Sequence, residues 1–239
     1  STKRLKTPNE YTDMTYNIDK AREAIANADA LIIGASNGLS IAEGYNIFAD
    51  NEMFRTQFGD FRDRYGIRSV LQGCFFDYPT AEERKRWNDR LIKYWITDYQ
   101  PSVVMKNLRR IVGDKPYFIV TTNADTHLEL SGFDANMVWE LEGTFLKGIT
   151  DHIVTDKQPA FNDFVARYAD KNVVILELGI GSRNTLIKQP LMQLTAQFPH
   201  CTYITLNLPH EIYIPGEISS KSIALPGDIA TTLEYLQML

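Results

Sequence analysis

Two hydrophobic periodicities alternate along the chain. Short continuous apolar runs, Ala30-Leu31-Ile32-Ile33, Phe118-Ile119-Val120, Val173-Val174-Ile175-Leu176 and Tyr203-Ile204-Thr205-Leu206, read as buried strands. Continuous rather than alternating hydrophobicity suits strands covered by helices on both faces. Elsewhere apolar positions fall at helical spacing. Ile18, Ala21, Ala24 and Ile25 share one helix face, with Asn17 as the expected N-cap. Gly227-Asp228 precedes a last helix ending near Leu239, with Asp228 as its cap. Strand and helix in alternation predict an α/β chain with a parallel, doubly wound sheet.

The segment 49–105 breaks this rhythm. It is rich in aromatics and arginine, and Thr80-Ala81-Glu82-Glu83 is a capping box opening a helix. Trp87, Leu91, Tyr94 and Trp95 line the inner face of that helix. We read 49–105 as a helical insertion beside the sheet, with membership of the main core as the alternative. The aromatic face is core, or else a wall of an acceptor cleft. A second insertion, 145–163, is polar and carries Pro159. The remainder, 1–48 and 106–239, forms the sheet domain.

Composition narrows the classes. A chain of 239 residues that is 44% hydrophobic buries one large core, or one core with a satellite. Its net charge of -5 offers no footprint for nucleic acid or anionic lipid. No apolar run spans a bilayer, and no apolar signal segment follows the basic start Ser1-Thr2-Lys3-Arg4-Leu5-Lys6. The two cysteines, Cys74 and Cys201, exclude a disulfide scaffold and a four-thiolate zinc site within one chain. A reducing cytoplasm is the expected location, and no metal is expected. His152, His200 and His210 are scattered and make no ligand spacing.

Two motifs carry chemistry. Gly34-Ala35-Ser36-Asn37-Gly38-Leu39-Ser40 follows the first strand, where small residues let backbone approach a diphosphate at a helix N-terminus. Such a turn is weak evidence alone, but after the first strand of an α/β chain it favours a dinucleotide. Thr121-Thr122-Asn123-Ala124-Asp125 ends a second strand, and Trp139-Glu140-Leu141-Glu142-Gly143-Thr144 places Glu142 beside a glycine. Strand C-termini are where open α/β sheets bind ligands. Taken alone, Asn and Asp after a strand cap the next helix.

Across most of its length, and in order, the chain resembles the sirtuin family of NAD-consuming enzymes. Ser36-Asn37-Gly38-Leu39-Ser40 sits where sirtuins carry Gly-Ala-Gly-x-Ser. The run from Thr122 to Gly132 resembles Gln-Asn-Ile-Asp-Gly-Leu-His-Glu-Arg-Ala-Gly, and Glu140-Leu141-Glu142-Gly143-Thr144 resembles Glu-Leu-His-Gly-Ser. Gly179-Ile180-Gly181-Ser182 corresponds to Gly-Thr-Ser, Asn207 to an asparagine ending the next strand, and Gly227-Asp228-Ile229 to the adenine-side loop. The chain is most similar to the macrodomain-linked bacterial branch, which ADP-ribosylates proteins. Tyr65-Gly66-Ile67, the run from Phe75 to Glu83, Glu177-Leu178-Gly179-Ile180-Gly181-Ser182-Arg183-Asn184-Thr185 and Ile187-Lys188-Gln189-Pro190 carry that likeness. Two departures stand out. The catalytic histidine of deacylating sirtuins, typically glutamine in the macrodomain-linked branch, is Glu142 here, and zinc cysteines are absent from 145–163.

The resemblance implies a Rossmann-like NAD-binding domain with a helical insertion, and a zinc module reduced to 145–163. It implies that Gly34, Ala35, Ser36, Asn37, Gly38, Ser40, Thr122, Gly179, Gly181, Ser182, Asn184, Asn207, Asp228 and Ile229 line the NAD site, with Tyr45 and Asn46 closing over the ribose. Asn123 touches the nicotinamide ribose and Asp125 holds the carboxamide, which a carboxylate accepts strongly. Glu142 acts as a base, stabilises oxocarbenium character or orients the attacking group; alternatively it is a solvated loop residue in a binding-only protein. His127 falls on the family's leucine and is expected to pack or lie on a helix surface. The expected reaction cleaves NAD at the nicotinamide bond and passes ADP-ribose to a protein side chain. Lysine deacylation, NAD hydrolysis and binding without turnover are the rivals.

Overall fold

The computed structural model describes residues 8–147 and 154–238, with side chains from residue 13 onward. Six strands, β1 (Ala30–Ala35), β2 (Tyr117–Thr121), β3 (Val138–Glu140), β4 (Val173–Leu178), β5 (Cys201–Asn207) and β6 (Ser222–Pro226), form one parallel sheet in the order β3-β2-β1-β4-β5-β6. The chain winds outward from β1 through β2 to β3, then returns to β4 and winds the other way. The order therefore reverses between β1 and β4, the place where doubly wound sheets open a crevice. Register aligns the tips: Ala35 lies opposite both Thr121 and Leu178. Loops beginning at residues 36, 122 and 179 thus emerge on one edge.

The helices are α1 (Pro8–Asn27), α2 (Asn37–Ala42), α3 (Glu52–Tyr65), α4 (Val70–Phe75), α5 (Ala81–Ile92), α6 (Val103–Val112), α7 (His127–Leu130), α8 (Gln158–Tyr168), α9 (Lys188–Gln197) and α10 (Ile229–Gln237). Both sheet faces are covered, as the continuous apolar runs require. Leu31, Ile33, Ile119, Val174 and Leu176 pack on one side with Ile18, Ala21 and Ile25 of α1 and residues of α6 and α10. Ile32, Phe118, Val120 and Ile175 pack on the other with Leu191 and Met192 of α9, and Phe161 and Phe164 of α8 adjoin them. Among the described residues, no helix is long and apolar enough to cross a membrane.

Residues 52–97 build a separate aromatic cluster of Phe54, Phe58, Phe61, Tyr78, Trp87 and Trp95. Trp87 and Trp95 are fully buried, while Tyr94 is only half-buried because α5 passes into a π turn, Lys93–Thr97. Extending the insertion to 105 cuts through α6, whose Val104 and Met105 already pack on the sheet. Asn17 is no cap: α1 begins at Pro8, and Asn17 Nδ2 donates to the Ala224 carbonyl at 3.3 Å. Asp228 does cap, accepting from Thr231 N–H at 2.9 Å. Thr80 forms half of its box, accepting from Glu83 N–H at 3.2 Å, while the Glu83 carboxylate turns to Tyr65 and Arg86. The second expected insertion straddles residues outside those described, 148–153, including His152, as does the basic start at residues 1–6; its end, 158–163, is the first half of α8.

Candidate functional site

The site starts at two glycines. A Cβ on Gly38 would lie 2.5 Å from Gly179 Cα, and a Cβ on Gly179 would lie 2.5 Å from Gly38 Cα. Gly179 also has φ +64, and Gly38 N–H donates to its carbonyl at 3.2 Å. The loops leaving β1 and β4 touch backbone to backbone, which no side chain at either position permits. Ile229 supports this contact from beneath, its Cδ1 lying 2.8 Å from that Gly179 Cβ position. Helix α2 spans only six residues, so the turn contributes close backbone more than a helix dipole.

The loop after β2 is tied to the same turn. Ser36 Oγ and Thr122 Oγ1 share a hydrogen bond of 2.9 Å, and Asn123 Nδ2 donates to the Ser36 carbonyl at 3.0 Å. Asp125, 5% exposed, accepts from Ser40 Oγ and from His127 N–H, each at 3.0 Å. Between Asp125 and His127 lies Thr126 at φ 58, the single non-glycine residue with positive φ among those described. A β-branched residue there is strained, and such strain concentrates at functional sites. Leu141 N–H donates to the Thr121 carbonyl at 2.9 Å, which brings the Glu142 loop beside the β2 tip.

These loops enclose a cavity of about 290 Å³. Asn37, Ser40, Thr122, Asn123, Asp125 and Glu142 supply its polar lining; Ile47, Leu71, Phe75, Leu141, Phe145 and Val154 form its apolar walls. Glu142 is solvent-exposed at the rim, while Asn123 and Asp125 are buried. Volume near the lower end of ligand pockets, roughly 300–1,000 Å³, suits one end of a dinucleotide.

Other predicted residues lie around this centre in different roles. Gly34 sits inside β1, where a Cβ would meet Leu191 Cδ1 at 2.6 Å; its bareness makes room for α9. Ala35 is fully buried in the core. Tyr45 packs edge-on against Trp95 and His127, and Asn46 Oδ1 accepts from Phe48 N–H at 3.0 Å in a local turn. Asn184 Oδ1 accepts from the N–H groups of Leu186, Ile187 and Lys188, capping α9. Asn207 Nδ2 donates to the Ile180 carbonyl at 2.6 Å, bracing the loop that carries Gly179. Gly181 is exposed, and Ser182 N–H donates to Glu211 Oε2 at 2.8 Å.

Behind Asp125 lies a cluster that sequence reasoning missed. His127 is fully buried, contrary to a helix-surface role; its Nδ1 is 3.0 Å from Glu43 Oε2 and its Nε2 is 2.7 Å from the Trp95 carbonyl. Burial works against its charge, but the Glu43 hydrogen bond and the nearby Asp125 and Glu43 charges outweigh it, so its pKa is raised. Burial also raises Asp125, against the pull of His127. Glu129 and Glu140 are pushed up to about 7 and about 8, chiefly by burial and then by neighbouring carboxylates. Glu43, Asp125 and His127 place three metal-type donors within 4.8 Å, but hydrogen bonding already links them. The histidine lies two residues beyond Asp125, yet Glu43 is 84 residues distant and no spacing announces the pair.

The class of fold follows from comparison with solved structures. A Sir2 homologue bound to NAD has a TM-score of 0.54 at 16% identity, covering 92% of each chain. A Sir2 homologue mutant bound to ADP-ribose has a TM-score of 0.56 at 16% identity, over 92% of this chain and 94% of the other. A structure concerned with sirtuin substrate affinity has 0.57 at 12% identity, over 91% and 96%. The architecture is therefore the Rossmann-like one of Sir2 proteins, as the sequence resemblance implied. No family model matches the chain. Among curated proteins, a protein ADP-ribosyltransferase of Staphylococcus aureus (strain Mu50 / ATCC 700699) is 24% identical over 277 aligned positions. The match takes in 92% of this chain and 87% of that relative.

Proposed function

We propose that the chain is a sirtuin-like NAD-dependent protein ADP-ribosyltransferase. One observation carries the reading: Asn123 and Asp125 from the loop after β2, and Glu142 from the loop after β3, line one crevice beside the Gly38–Gly179 contact. The crevice suits NAD, because the glycine pair lets the β1 and β4 loops close against each other beside it and a buried carboxylate waits at its depth. When NAD is bound, its C1′–N bond breaks with the electron pair leaving on nicotinamide, while an acceptor nucleophile bonds C1′ and gives up a proton. Asp125 accepts the carboxamide N–H groups, Asn123 orients the ribose, and Ser40 keeps the Asp125 carboxylate directed inward. Glu142, open to solvent at the rim, stabilises developing positive charge and takes the acceptor's proton.

The likeness to the curated ADP-ribosyltransferase supports transfer over deacylation. We read Glu142 as replacing the catalytic histidine, and 145–163, which holds no cysteine, as a small module without zinc. Cys74 and Cys201 are buried with thiols pushed up to about 11, so neither is a ready nucleophile, and a reducing cytoplasm remains the location we assign. Kinship with the macrodomain-linked bacterial branch completes this reading.

Labelled NAD incubated with the protein and lysate tests it. We expect nicotinamide release and labelled protein, with release about a hundredfold slower in Asp125→Asn. Free ADP-ribose alone would favour hydrolysis; acyl-lysine hydrolysis abolished by Glu142→Ala would favour deacylation. Neither nicotinamide nor label sinks the enzymatic reading.

A further inference from the structure

His127 sits where the sirtuin pattern carries leucine, and its ring is held on both nitrogens. The Trp95 carbonyl can only accept, so Nε2, 2.7 Å away, carries a proton. On the other side, Nδ1 faces Glu43 Oε2 at 3.0 Å and Asp125 Oδ2 at 3.5 Å. Glu43 Oε1 is already engaged by Ser102 Oγ at 2.7 Å and by the Tyr99 hydroxyl. Two carboxylates facing Nδ1 favour a second proton there. The ring is sandwiched accordingly: Tyr99 stacks on it at 3.6 Å and 13°, and Tyr45 meets it edge-on at 4.6 Å.

We propose that His127 is a positioning residue: held as a doubly protonated imidazolium between Glu43 and the Trp95 carbonyl, it keeps Asp125 ionised and directed into the crevice. The role rests on reading Asp125 as the residue that grips the nicotinamide carboxamide. The backbone supports it, since strained Thr126 lets His127 N–H bond Asp125 Oδ1 while the ring approaches Oδ2. The carbonyl partner lies in the π turn, so the aromatic segment 52–97 is tied directly to the crevice.

The charge balance around Asp125 shows why a cation matters. Glu43 approaches from the end of α2 and Tyr45 from just beyond it; Tyr99 and Ser102 approach from the stretch before α6. Glu129 on α7 and Glu140 on β3 add further carboxylates, which Lys157 partly offsets. Glu129 and Glu140, raised to about 7 and about 8, carry a proton through much of the neutral range, so without the imidazolium Asp125 would face the Glu43 carboxylate uncompensated, and its ionised fraction would fall.

Two titrations test the proposal without needing turnover. In ¹⁵N-histidine-labelled protein, with His127 assigned as the signal that survives when His152, His200 and His210 are replaced by Gln, both ring nitrogens should show protonated-type shifts between about pH 6 and 8. A neutral tautomer at pH 7 overturns the proposal. The ¹³C carboxyl signal of Asp125 should titrate at a midpoint higher by about one pH unit or more in His127→Gln. An unmoved midpoint in a folded variant makes His127 merely structural and also overturns it. Should the variant not fold, the wild-type nitrogen signals still decide. Absence of NAD cleavage in the wild type would defeat the functional reading while leaving both titrations to judge His127.

Discussion

Lys188 and Glu177 meet at 2.6 Å with neither side chain exposed, the tightest buried charge pair outside the crevice among the described residues. Burial pushes Glu177 up to about 7 despite the ammonium, so desolvation exceeds the pairing. Lys188→Met alone should destabilise the protein by about 3–5 kcal/mol, because it leaves a buried carboxyl unpaired. Glu177→Leu with Lys188→Met should be neutral, or stabilising by about 1–4 kcal/mol, in urea unfolding. The sign with pH follows: a carboxyl raised on folding costs stability as pH climbs from its ordinary 4.5 to about 7. The advantage of the double variant should widen over that window and level off above it; an advantage constant with pH would contradict the assignment. Single residues were legible to different degrees. That Asn123, Asp125 and Glu142 line one crevice was legible because each follows within four residues of a strand tip, after β2 or β3. Asp228 was legible as the cap of α10, and its oxygen does cap it, while the Asn184 oxygen accepts from the N–H groups that open α9, a local role the sequence did not separate from ligand binding. His127 escaped because its partner Glu43 comes near only through the fold.

At the scale of elements, the contact between the β1 and β4 loops makes the sharpest claim. Gly38→Ala places a methyl against Gly179 backbone, which has no rotamer to yield, so the loops must part. A loss of about 1–3 kcal/mol and weakened NAD binding are expected, by thermal melts and calorimetry. Gly59→Ala is the contrast: nothing lies within 4 Å of its Cβ in α3, so it should be neutral or raise stability by a few tenths to about 1 kcal/mol. Equal losses at both positions would remove the special status of the crossing. The central strands were legible because burial on both faces leaves an uninterrupted apolar run. The edge strands were not: β3 has only three residues, and β6 alternates half-buried and buried positions and ends in Pro226. A short edge strand is defined by its neighbour more than by its own composition. The start of α1 was missed for a similar reason, since its first turns lie before the apolar stripe that locates the helix.

For the whole molecule, the switch point divides the proposed site in two. The β4–β5–β6 side offers Gly179, Asn207 and Ile229 near the crossing, while Asn123, Asp125 and Glu142 all belong to the β2–β3 side. A dinucleotide lying across the reversal would place its adenine half over the first group and its nicotinamide over the second. ADP-ribose, which lacks nicotinamide, should therefore still bind and stabilise the fold. At about a hundred times the dissociation constant, a ligand adds roughly 2.7 kcal/mol, and for a chain of this size that raises the melting temperature by about 5–11 °C. If Asp125 grips the carboxamide as proposed, Asp125→Asn should leave the ADP-ribose shift near its original size and remove most of what NAD adds beyond it. Gly38→Ala should reduce both shifts together if the ligand lies across the glycine pair as proposed. If Asp125→Asn instead weakens NAD and ADP-ribose equally, Asp125 does not mark the nicotinamide end, and the orientation of the ligand across the strand tips must be reversed.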